Sequence, residues 1–528
     1  MSLALELSIF AKLFAAVAEE MGIVLRKSAF SPNIKERRDY SCALCTAAGE
    51  LLAQAAHIPV HLGALPRTMA RVLPEFPLGP GDVLILNDPY WGGTHLPDIT
   101  VIAPFYSEDR LAFHLVNRAH HADVGGATPG SMPLARDLRD EGVIIPPTYL
   151  CRGGEIDETF LSSLTSQMRV PEERRGDLQA QLAALHRGQE RLPALVSRYR
   201  LDKLLTMSQT LLGYSEKAMR GAIASIPEGE YLFEDYLDDD GYGRQDLAIR
   251  LTLTISGDTA LLDFRQSDDQ TEGGVNAVPP VVEAACYYVF LSLLAEEYPI
   301  NQGCFRPLTT LTRTGSLLDP IFPAAVAAGN VETSQRLVDV VLGALAQALP
   351  EVIPAASQGT MNNVAFGGRD PETGLDFTYY ETIGGGLGGR PGSPGLSGVH
   401  THMTNTRNTP VEVLEHDYPV RLTRYALREG SGGAGKFPGG LGIIREFEFL
   451  TEVTVSLLTD RRRQAPYGLH GGQPGAKGEN VLITTDGEQP LPGKVNLTLP
   501  PGSRLSIRTP GGGGWGEKDW KIMGLKDT

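Results

Sequence analysis

The sequence predicts an α+β protein, and two patterns along its 528 residues support that prediction. Short apolar runs separated by turn residues dominate the early and late parts of the chain, which is typical of β-strands. Between them, long stretches place apolar residues at a spacing near 3.6, which is typical of helices. We expect an N-terminal α/β region (1–173), a helical and mixed middle (174–417) and a β-rich C-terminal region (418–528).

The N-terminal region begins with a predicted amphipathic helix over residues 1–27, where apolar residues recur at near-helical spacing. Strand candidates follow in YSCALCT, GDVLILNDPY, DITVIAPFY and LAFHLVNR. The polar segment NRAHHADVGG (117–126) comes directly after the last of them. It is therefore expected at a strand end, where binding sites often lie.

The middle region begins at residues 174–224, whose few glycines and strong periodicity predict two or three helices broken near Pro193. Two strands joined by a Gly-Asp turn at 257–258 follow. Further helices are predicted over 281–297 and 333–349.

Residues 356–417 are rich in Gly, Asn, Thr and His and show little periodicity, which indicates loops that form a site rather than a linker. From 420 to 510 the pattern predicts strands, among them YPVRLTRYAL, GIIREFEFL, VTVSLLT, ENVLITT and RLSIRT. This pattern defines the β-rich C-terminal region.

Charge and composition exclude several classes of function. The formal charge of −16, from 63 acidic and 47 basic residues, opposes binding to nucleic acid. No segment approaches the 18 apolar residues of a membrane span, and Glu6 and Lys12 interrupt the apolar N-terminus, so no signal peptide is expected. Five scattered cysteines suit a reducing compartment, which predicts a cytoplasmic protein.

Three glycine-rich motifs resemble nucleotide-binding loops but lack their context. GSGGAGKF (430–437) has Phe437 where a hydroxyl should hold magnesium, and PGGLG follows where a helix should begin. GGGLGG (384–389) and GGGGWG (511–516) do not open helices either. The chain is therefore expected to bind no ATP itself.

Histidine and aspartate concentrate in the first 125 residues, which hold six of the eleven histidines. THLPD and HHAD each place a histidine three residues before an aspartate, at His95/Asp98 and His120/Asp123. Any one of these residues is common in a polar turn, but the repeated pairs beside glycines favour a metal site. Imidazole and carboxylate together suit zinc, manganese or iron(II). The N-terminal α/β region is therefore predicted to be metal-bearing.

The adjacent histidines His120 and His121 are expected to have different roles. One binds the metal, and the other faces the substrate or supports the ligand. His57 and His61 lie four residues apart around Pro59 and need not share a helix face. They are weaker candidates, as proton shuttles.

These segments resemble the hydantoinase B/5-oxoprolinase family, which also includes the large subunits of acetone and acetophenone carboxylases. The resemblance runs from about residue 5 to residue 516. It is specific for the family but not for a substrate. Its motifs include SPNIKERRDYSCAL, AAHIPVHLGALPRTM, LNDPYWGGTHLPDITV, NRAHHADVGGATPGSMP, GNVETSQRLVD and MTNTRNTPVEVLE.

The resemblance implies a two-part enzyme. A partner subunit of the actin-like ATPase type binds ATP and phosphorylates the substrate oxygen, and the two assemble into a heterotetramer or larger complex. The B-type chain holds a divalent metal and completes the reaction. In members that hydrolyse cyclic amides, water then opens the ring; in the carboxylases, a phosphoenol is carboxylated. The matched metal ligands are Asp39, His95, His120 and Asp123, with Asp98 as a supporting partner, and Asp39 enters on the resemblance alone.

Further site residues are predicted, and two of them, Glu141 and Arg407, also have an alternative interpretation. Catalytic candidates are His121, His57 and Glu141, although Glu141 in RDEGVIIPP is equally typical of a surface loop. Substrate-binding candidates in the loop-rich segment are His402, Asn405 and Arg407. Arg407 would hold a phosphorylated intermediate, or else tie loops together.

The predicted function is an ATP-dependent hydrolase of a hydantoin-, 5-oxoproline- or lactam-type ring, acting with its ATPase partner. Two alternatives stay open. One is a subunit of a ketone carboxylase. The other is a scaffolding subunit whose metal only holds loops together.

Overall fold

The computed structural model describes residues 3–55, 58–294 and 298–518, which fold into helices and four β-sheets. The helices are α1 (Leu3–Ser28), α2 (Pro32–Lys35), α3 (His61–Val72), α4 (Leu138–Glu141), α5 (Glu158–Thr165), α6 (Pro171–Tyr199), α7 (Leu201–Ala224), α8 (Pro279–Ser292), α9 (Ser334–Ala348) and α10 (Val411–Asp417). A π-helical turn at Gly329–Thr333 leads into α9.

The first sheet has seven antiparallel strands in the order β2-β1-β5-β4-β3-β6-β7. Their bounds are β1 (Tyr40–Thr46), β2 (Leu51–Gln54), β3 (Val83–Leu86), β4 (Asp98–Ser107), β5 (Arg110–His120), β6 (Thr148–Arg152) and β7 (Glu155–Ile156). The register pairs Asp98 with His120 and Tyr40 with Ala119. The start of β4, the end of β5 and the start of β1 therefore meet at one edge of the sheet.

The second sheet has the order β11-β10-β9-β8, with β8 (Gly229–Asp239), β9 (Gln245–Ser256), β10 (Thr259–Asp263) and β11 (Leu308–Leu311). The remaining strands are β12 (Asn363–Arg369), β13 (Asp376–Glu381), β14 (Val420–Arg428), β15 (Gly442–Phe449), β16 (Val453–Leu458), β17 (Glu479–Thr484), β18 (Gly487–Leu491), β19 (Lys494–Leu499) and β20 (Arg504–Arg508). They form a four-stranded sheet, β13-β12-β16-β19, and a five-stranded sheet, β14-β15-β20-β17-β18.

The predicted α+β class is confirmed, and the strands expected in the N- and C-terminal regions are present. The region boundaries stay predictions. In the third sheet, β12 pairs with β16, and these two strands lie on opposite sides of the boundary predicted at residue 418. Among the described residues, no helix is both long enough and apolar enough to cross a membrane.

Two predictions about the middle region were wrong in detail. Helix α6 continues through Pro193, and the break comes at Arg200, whose positive φ of 66° ends the helical path. The segment 356–417 also contains β12, β13 and α10 besides its loops. Gly367 and Gly368 weaken the strand pattern of β12; a β-carbon at Gly367 would lie against Pro129 and the backbone of Phe377.

The glycine-rich motifs pack against one another. Gly389 N–H donates to the Gly513 carbonyl at 2.8 Å, and Gly512 N–H donates to the Gly440 carbonyl at 2.9 Å. A β-carbon at Gly512 would overlap the Leu387 carbonyl. These glycines are needed because the backbones touch directly.

Gly512→Ala is therefore expected to destabilise the fold by about 1–3 kcal/mol, because the added methyl group forces the two backbone segments apart. Urea unfolding measures the change. Gly213→Ala is the matched control, since Gly213 lies in α7 with open space where a methyl group would stand, and alanine favours a helix. Equal stabilities for the two variants would contradict this packing.

Candidate metal centre

Three side chains at the edge of the first sheet form a compact cluster. One ligand atom each of His95, Asp98 and His120 lies within 4.8 Å of the others, and all three residues are buried. His95 Nε2 lies 3.3 Å from Asp98 Oδ2, and the His95 and His120 rings are 5.1 Å apart between centroids. The ladder that pairs Asp98 with His120 sets this spacing, because residues directly opposite in antiparallel strands share a face.

The ligand atoms of the cluster fit a metal ion. Among the described residues, His95 Nε2, His120 Nε2 and Asp98 Oδ1 have no hydrogen-bond partner, although all are buried. Buried polar atoms are normally satisfied, so three unsatisfied atoms in one cluster indicate a ligand. Two ligands of a tetrahedral zinc ion lie roughly 3.3 Å apart, close to the His95–Asp98 separation.

The pKa values of two cluster residues, Asp98 and His120, are shifted in directions that suit metal binding. Burial opposes ionisation of Asp98, but His95 and His61 outweigh it and hold the pKa of Asp98 well below its usual range. Burial, with His95 close by, holds the pKa of His120 well below its usual range, so the ring stays neutral. A carboxylate and a neutral imidazole are the forms that bind metals.

A second layer of contacts orients these ligands. His61 Nε2 lies 3.4 Å from Asp98 Oδ2, and its Nδ1 lies 2.9 Å from the Ser41 hydroxyl. The Thr94 hydroxyl also donates to Asp98 Oδ2. Asn33 contacts His120 Nδ1 at 3.0 Å and accepts a hydrogen bond from Arg37. Supporting contacts of this kind fix ligand orientation in metal sites.

Asp39 lies beside the cluster but outside its 4.8 Å spacing. Its backbone carbonyl accepts a hydrogen bond from His120 N–H at 3.0 Å, and its side chain lines the same cavity as Asp98 and His120. Burial raises the pKa of Asp39, although Arg37, 3.8 Å away, opposes the shift.

The cluster opens onto a small cavity of about 20 Å³. Apolar side chains form much of its wall, and hydroxyl and amide groups are interspersed among them. Tyr380 stacks on the His120 ring, with centroids 4.7 Å apart. The lining includes Ile58, Val60, Asn330, Val331, Met361, Tyr380, Met403, Thr404 and Thr406.

Two predicted site residues, Asp123 and His121, lie outside the cluster, and the roles predicted for them stay predictions. Asp123 accepts hydrogen bonds from the Gly125 and Gly130 amides, at 2.7 and 2.9 Å, and pairs with Arg169 at 3.1 Å. Asp98, expected as a supporting partner, lies within the cluster. His121 follows His120 and points to the opposite face, where Nε2 contacts Gln181 at 2.9 Å.

Glu141 is buried, not a surface residue, and it links two loops. Its Oε1 accepts hydrogen bonds from the Val326 and Ala327 amides, at 2.7 and 2.8 Å. Burial raises the pKa of Glu141 to about 8, against the effect of those two amides. Ala327 lies three residues before Asn330, and Asn330 lines the cavity. This placement supports a positioning task, and its predicted acid–base task stays a prediction.

Glu141 is expected to make the fold less stable as pH rises. Between the unfolded pKa of about 4.3 and the folded pKa of about 8, only the folded chain binds this proton, so the free energy of unfolding falls over that window. Glu141→Gln keeps the acceptor oxygen without a charge and should remove this contribution. Urea midpoints of both proteins at pH 5, 6, 7 and 8 measure the difference; identical slopes would contradict it.

The predicted substrate-binding residues lie in different environments. His402 is buried with a positive φ of 54°, and its Nε2 lies 3.8 Å from Asp339. Asn405 and Arg407 are exposed, and Arg407 lines a surface pocket instead of the metal cavity. His57 lies outside the described residues. The roles predicted for all four stay predictions.

Several cavity residues were missed by sequence reasoning, among them Asn330, Met361 and Tyr380. Each lies far along the chain from the histidine motifs. Met361 and Tyr380 lie in the segment 356–417, whose composition indicated a site, and Asn330 lies within GNVETSQRLVD, where the structure has a π-helical turn. Such turns are frequent at functional sites.

Comparison with known proteins matches the hydantoinase B/oxoprolinase family over residues 4–518. The chain belongs to that family. This confirms the resemblance drawn from the sequence motifs.

Relatives within the family differ in length. 5-Oxoprolinase 1 of Arabidopsis thaliana is 42% identical over 97% of this chain, which spans only 42% of that protein. A protein of Pseudomonas sp. strain NS671, named as the B-type component of a D-/L-hydantoinase, is 33% identical, over 95% of this chain and 88% of that protein. The structure of ATP-dependent caprolactamase from Pseudomonas jessenii aligns with a TM-score of 0.92 at 28% identity, over 99% of this chain and 93% of that chain.

Proposed function

We propose that this chain is the metal-bearing subunit of an ATP-dependent hydrolase that opens a cyclic amide. The ring is of the hydantoin, 5-oxoproline or lactam type. An actin-like ATPase partner phosphorylates the amide oxygen, and this chain completes the hydrolysis. The names of the relatives support the reaction class, and the hydantoinase relative, named as one component of an enzyme, supports a partner.

The observation that carries the proposal is the buried cluster of His95, Asp98 and His120, of which Asp98 and His120 line a cavity. A divalent ion held there, whether zinc, manganese or iron, would polarise a bound oxygen and acidify water. Two imidazoles and one carboxylate leave positions open on such an ion, as catalytic sites require.

The cavity has room for the attacking water rather than for the ring. Its volume of about 20 Å³ corresponds to about one water molecule, and Ile58, Val60, Met361 and Thr404 are among the residues that line it. Asp39 takes the proton from the attacking water, because its raised pKa and its place beside the ligands suit a base. Addition of that water to the activated carbon, followed by cleavage of the C–N bond with proton transfer to the leaving nitrogen, opens the ring and leaves an acyl phosphate. A second water hydrolyses the acyl phosphate to the carboxylate and inorganic phosphate.

Asp39→Asn tests this assignment. Turnover is expected to fall about 10²–10⁴-fold, because a positioned base is lost. Metal content, measured by inductively coupled plasma mass spectrometry, should stay near one ion per chain, because the His95, Asp98 and His120 ligands remain. Loss of the metal from this variant would make Asp39 a ligand instead of a base.

The reaction class is tested by purifying the chain with its ATPase partner and measuring ADP release over hydantoins, 5-oxoproline, lactams and aryl ketones. The proposal expects ADP release with a cyclic amide and an equal amount of ring-opened product. ADP release that needs a ketone and bicarbonate would identify a carboxylase instead. ATP turnover unaffected by removal of the metal would favour the scaffolding alternative.

A further inference from the structure

A buried carboxyl group, that of Glu332, lies next in the chain to two residues of the metal cavity. It belongs to the π-helical turn Gly329–Thr333, in which Asn330 and Val331 both line the cavity. The Glu332 side chain is fully buried. Burial, with Asp460 close by, raises the pKa of Glu332 to about 7. A carboxyl group in such surroundings costs free energy unless hydrogen bonds satisfy it, so its contacts indicate what it does there.

One oxygen of Glu332 binds two groups of the loop that leads into β12. Its Oε1 accepts a hydrogen bond from the Met361 N–H at 3.0 Å and from the Asn363 side-chain amide at 2.7 Å. Met361 itself lines the metal cavity. These two hydrogen bonds therefore join the turn that carries Asn330 to a second stretch of the cavity wall.

The Asn363 amide extends this connection to a metal ligand. Its Nδ2 also donates to the Leu458 carbonyl at 2.7 Å, and its Oδ1 accepts from the Tyr380 hydroxyl at 2.7 Å. Both ends of the amide are therefore held. The Tyr380 ring stacks on His120, with centroids 4.7 Å apart and planes inclined by 6°. Two hydrogen bonds and one ring contact thus link Glu332 to His120.

We propose that Glu332 is a positioning residue, which orients the metal ligand His120 and fixes the wall of the metal cavity. This inference rests on the proposed function, because it assumes that the cluster binds a metal. Asn33 restrains the edge of the His120 ring at Nδ1, and Tyr380 restrains its face. Outer contacts of this kind orient a ligand and strengthen metal binding. The cavity holds about one water molecule, so a small shift of its wall changes where that water lies.

The first test measures zinc affinity of the isolated chain by competition with a chromophoric chelator. Glu332→Ala is expected to weaken zinc binding about 10–100-fold, because the contacts that orient His120 are lost. Glu332→Gln keeps an acceptor oxygen for the two amides and should bind zinc within about 3-fold of the wild type. A wild-type affinity in Glu332→Ala would overturn the proposal, and so would a Glu332→Gln variant as weak as Glu332→Ala.

The second test changes the hydroxyl that Asn363 holds and leaves the carboxyl group in place. Tyr380→Phe keeps the ring but loses its restraint, so zinc binding should weaken by at least about 3-fold. Tyr379→Phe is the matched control, because Tyr379 is equally buried but its hydroxyl contacts Glu381 at 2.9 Å. It should bind zinc as the wild type does. Equal zinc affinities in the two variants would overturn the proposal.

The third test needs no metal. In spectra of the metal-free chain with isotope-labelled histidine, the His120 ring signals are identified by their absence from His120→Asn. Glu332→Ala should move these signals, because the stacked Tyr380 ring is no longer held, whereas Tyr379→Phe should leave them in place. Unchanged His120 signals in Glu332→Ala would overturn the proposal. If the wild-type chain binds no zinc, manganese or iron, the proposed metal centre fails, and these spectra still decide whether Glu332 orients His120.

Discussion

Replacing His120 by asparagine is expected to lower ring-opening turnover by at least ~10²-fold while the fold stays intact. His120 supplies one of two imidazoles in the cluster, and its Nε2 has no partner in the described part of the chain. Asparagine is shorter than histidine, so its amide would not reach the same point. Turnover with the ATPase partner and metal content per chain are the two measurements.

His121→Asn is the matched control for that variant, because it changes the neighbouring residue on the opposite face of the sheet. Loss of the contact to Gln181 should cost about 1–3 kcal/mol of stability but leave most turnover per folded molecule. If His121→Asn abolished turnover and His120→Asn did not, the assignment of the two histidines would be reversed.

Replacing Asp123 by alanine is expected to destabilise the fold by about 3 kcal/mol and to spare the chemistry. The carboxylate is fully buried, accepts from the Gly125 and Gly130 amides and pairs with Arg169, so its removal leaves buried groups without partners. Urea unfolding gives the stability. Turnover per folded molecule, measured below the unfolding midpoint, should stay within about 3-fold of wild type.

Asp98→Ala is the opposite case, since this carboxylate lies within the cluster. It should lose metal and turnover together. Because Asp98 and Asp123 each stand three residues after a histidine, the pair of variants separates two positions that look equivalent in the sequence. Loss of metal from Asp123→Ala with retention in Asp98→Ala would restore the ligand set expected from the resemblance.

Much of the site could be predicted from local patterns. The histidine cluster does lie at a strand end, because β5 ends at His120. The alternation of side chains along β5 also separates the two histidines. Asn117 and His121 both contact Gln181 on one face, so His120 must face the other way.

The remaining features of the site depended on contacts between segments that are far apart in the sequence. Nothing near Asp123 reveals that Arg169 and two glycine amides satisfy its carboxylate. Nothing near His120 reveals that Tyr380 stacks on its ring. The choice between Asp98 and Asp123 was set by the β4–β5 register, which pairs Asp98 with His120. Spacing along the chain does not determine that register.

One divalent ion is expected between His95, Asp98 and His120. An anomalous difference map from crystals of the protein, recorded across the absorption edges of zinc, manganese and iron, would locate and identify it. We expect one peak, about 2.0–2.2 Å from His95 Nε2, His120 Nε2 and an oxygen of Asp98. A map with no peak between these three side chains, from protein that carries stoichiometric metal, would contradict it.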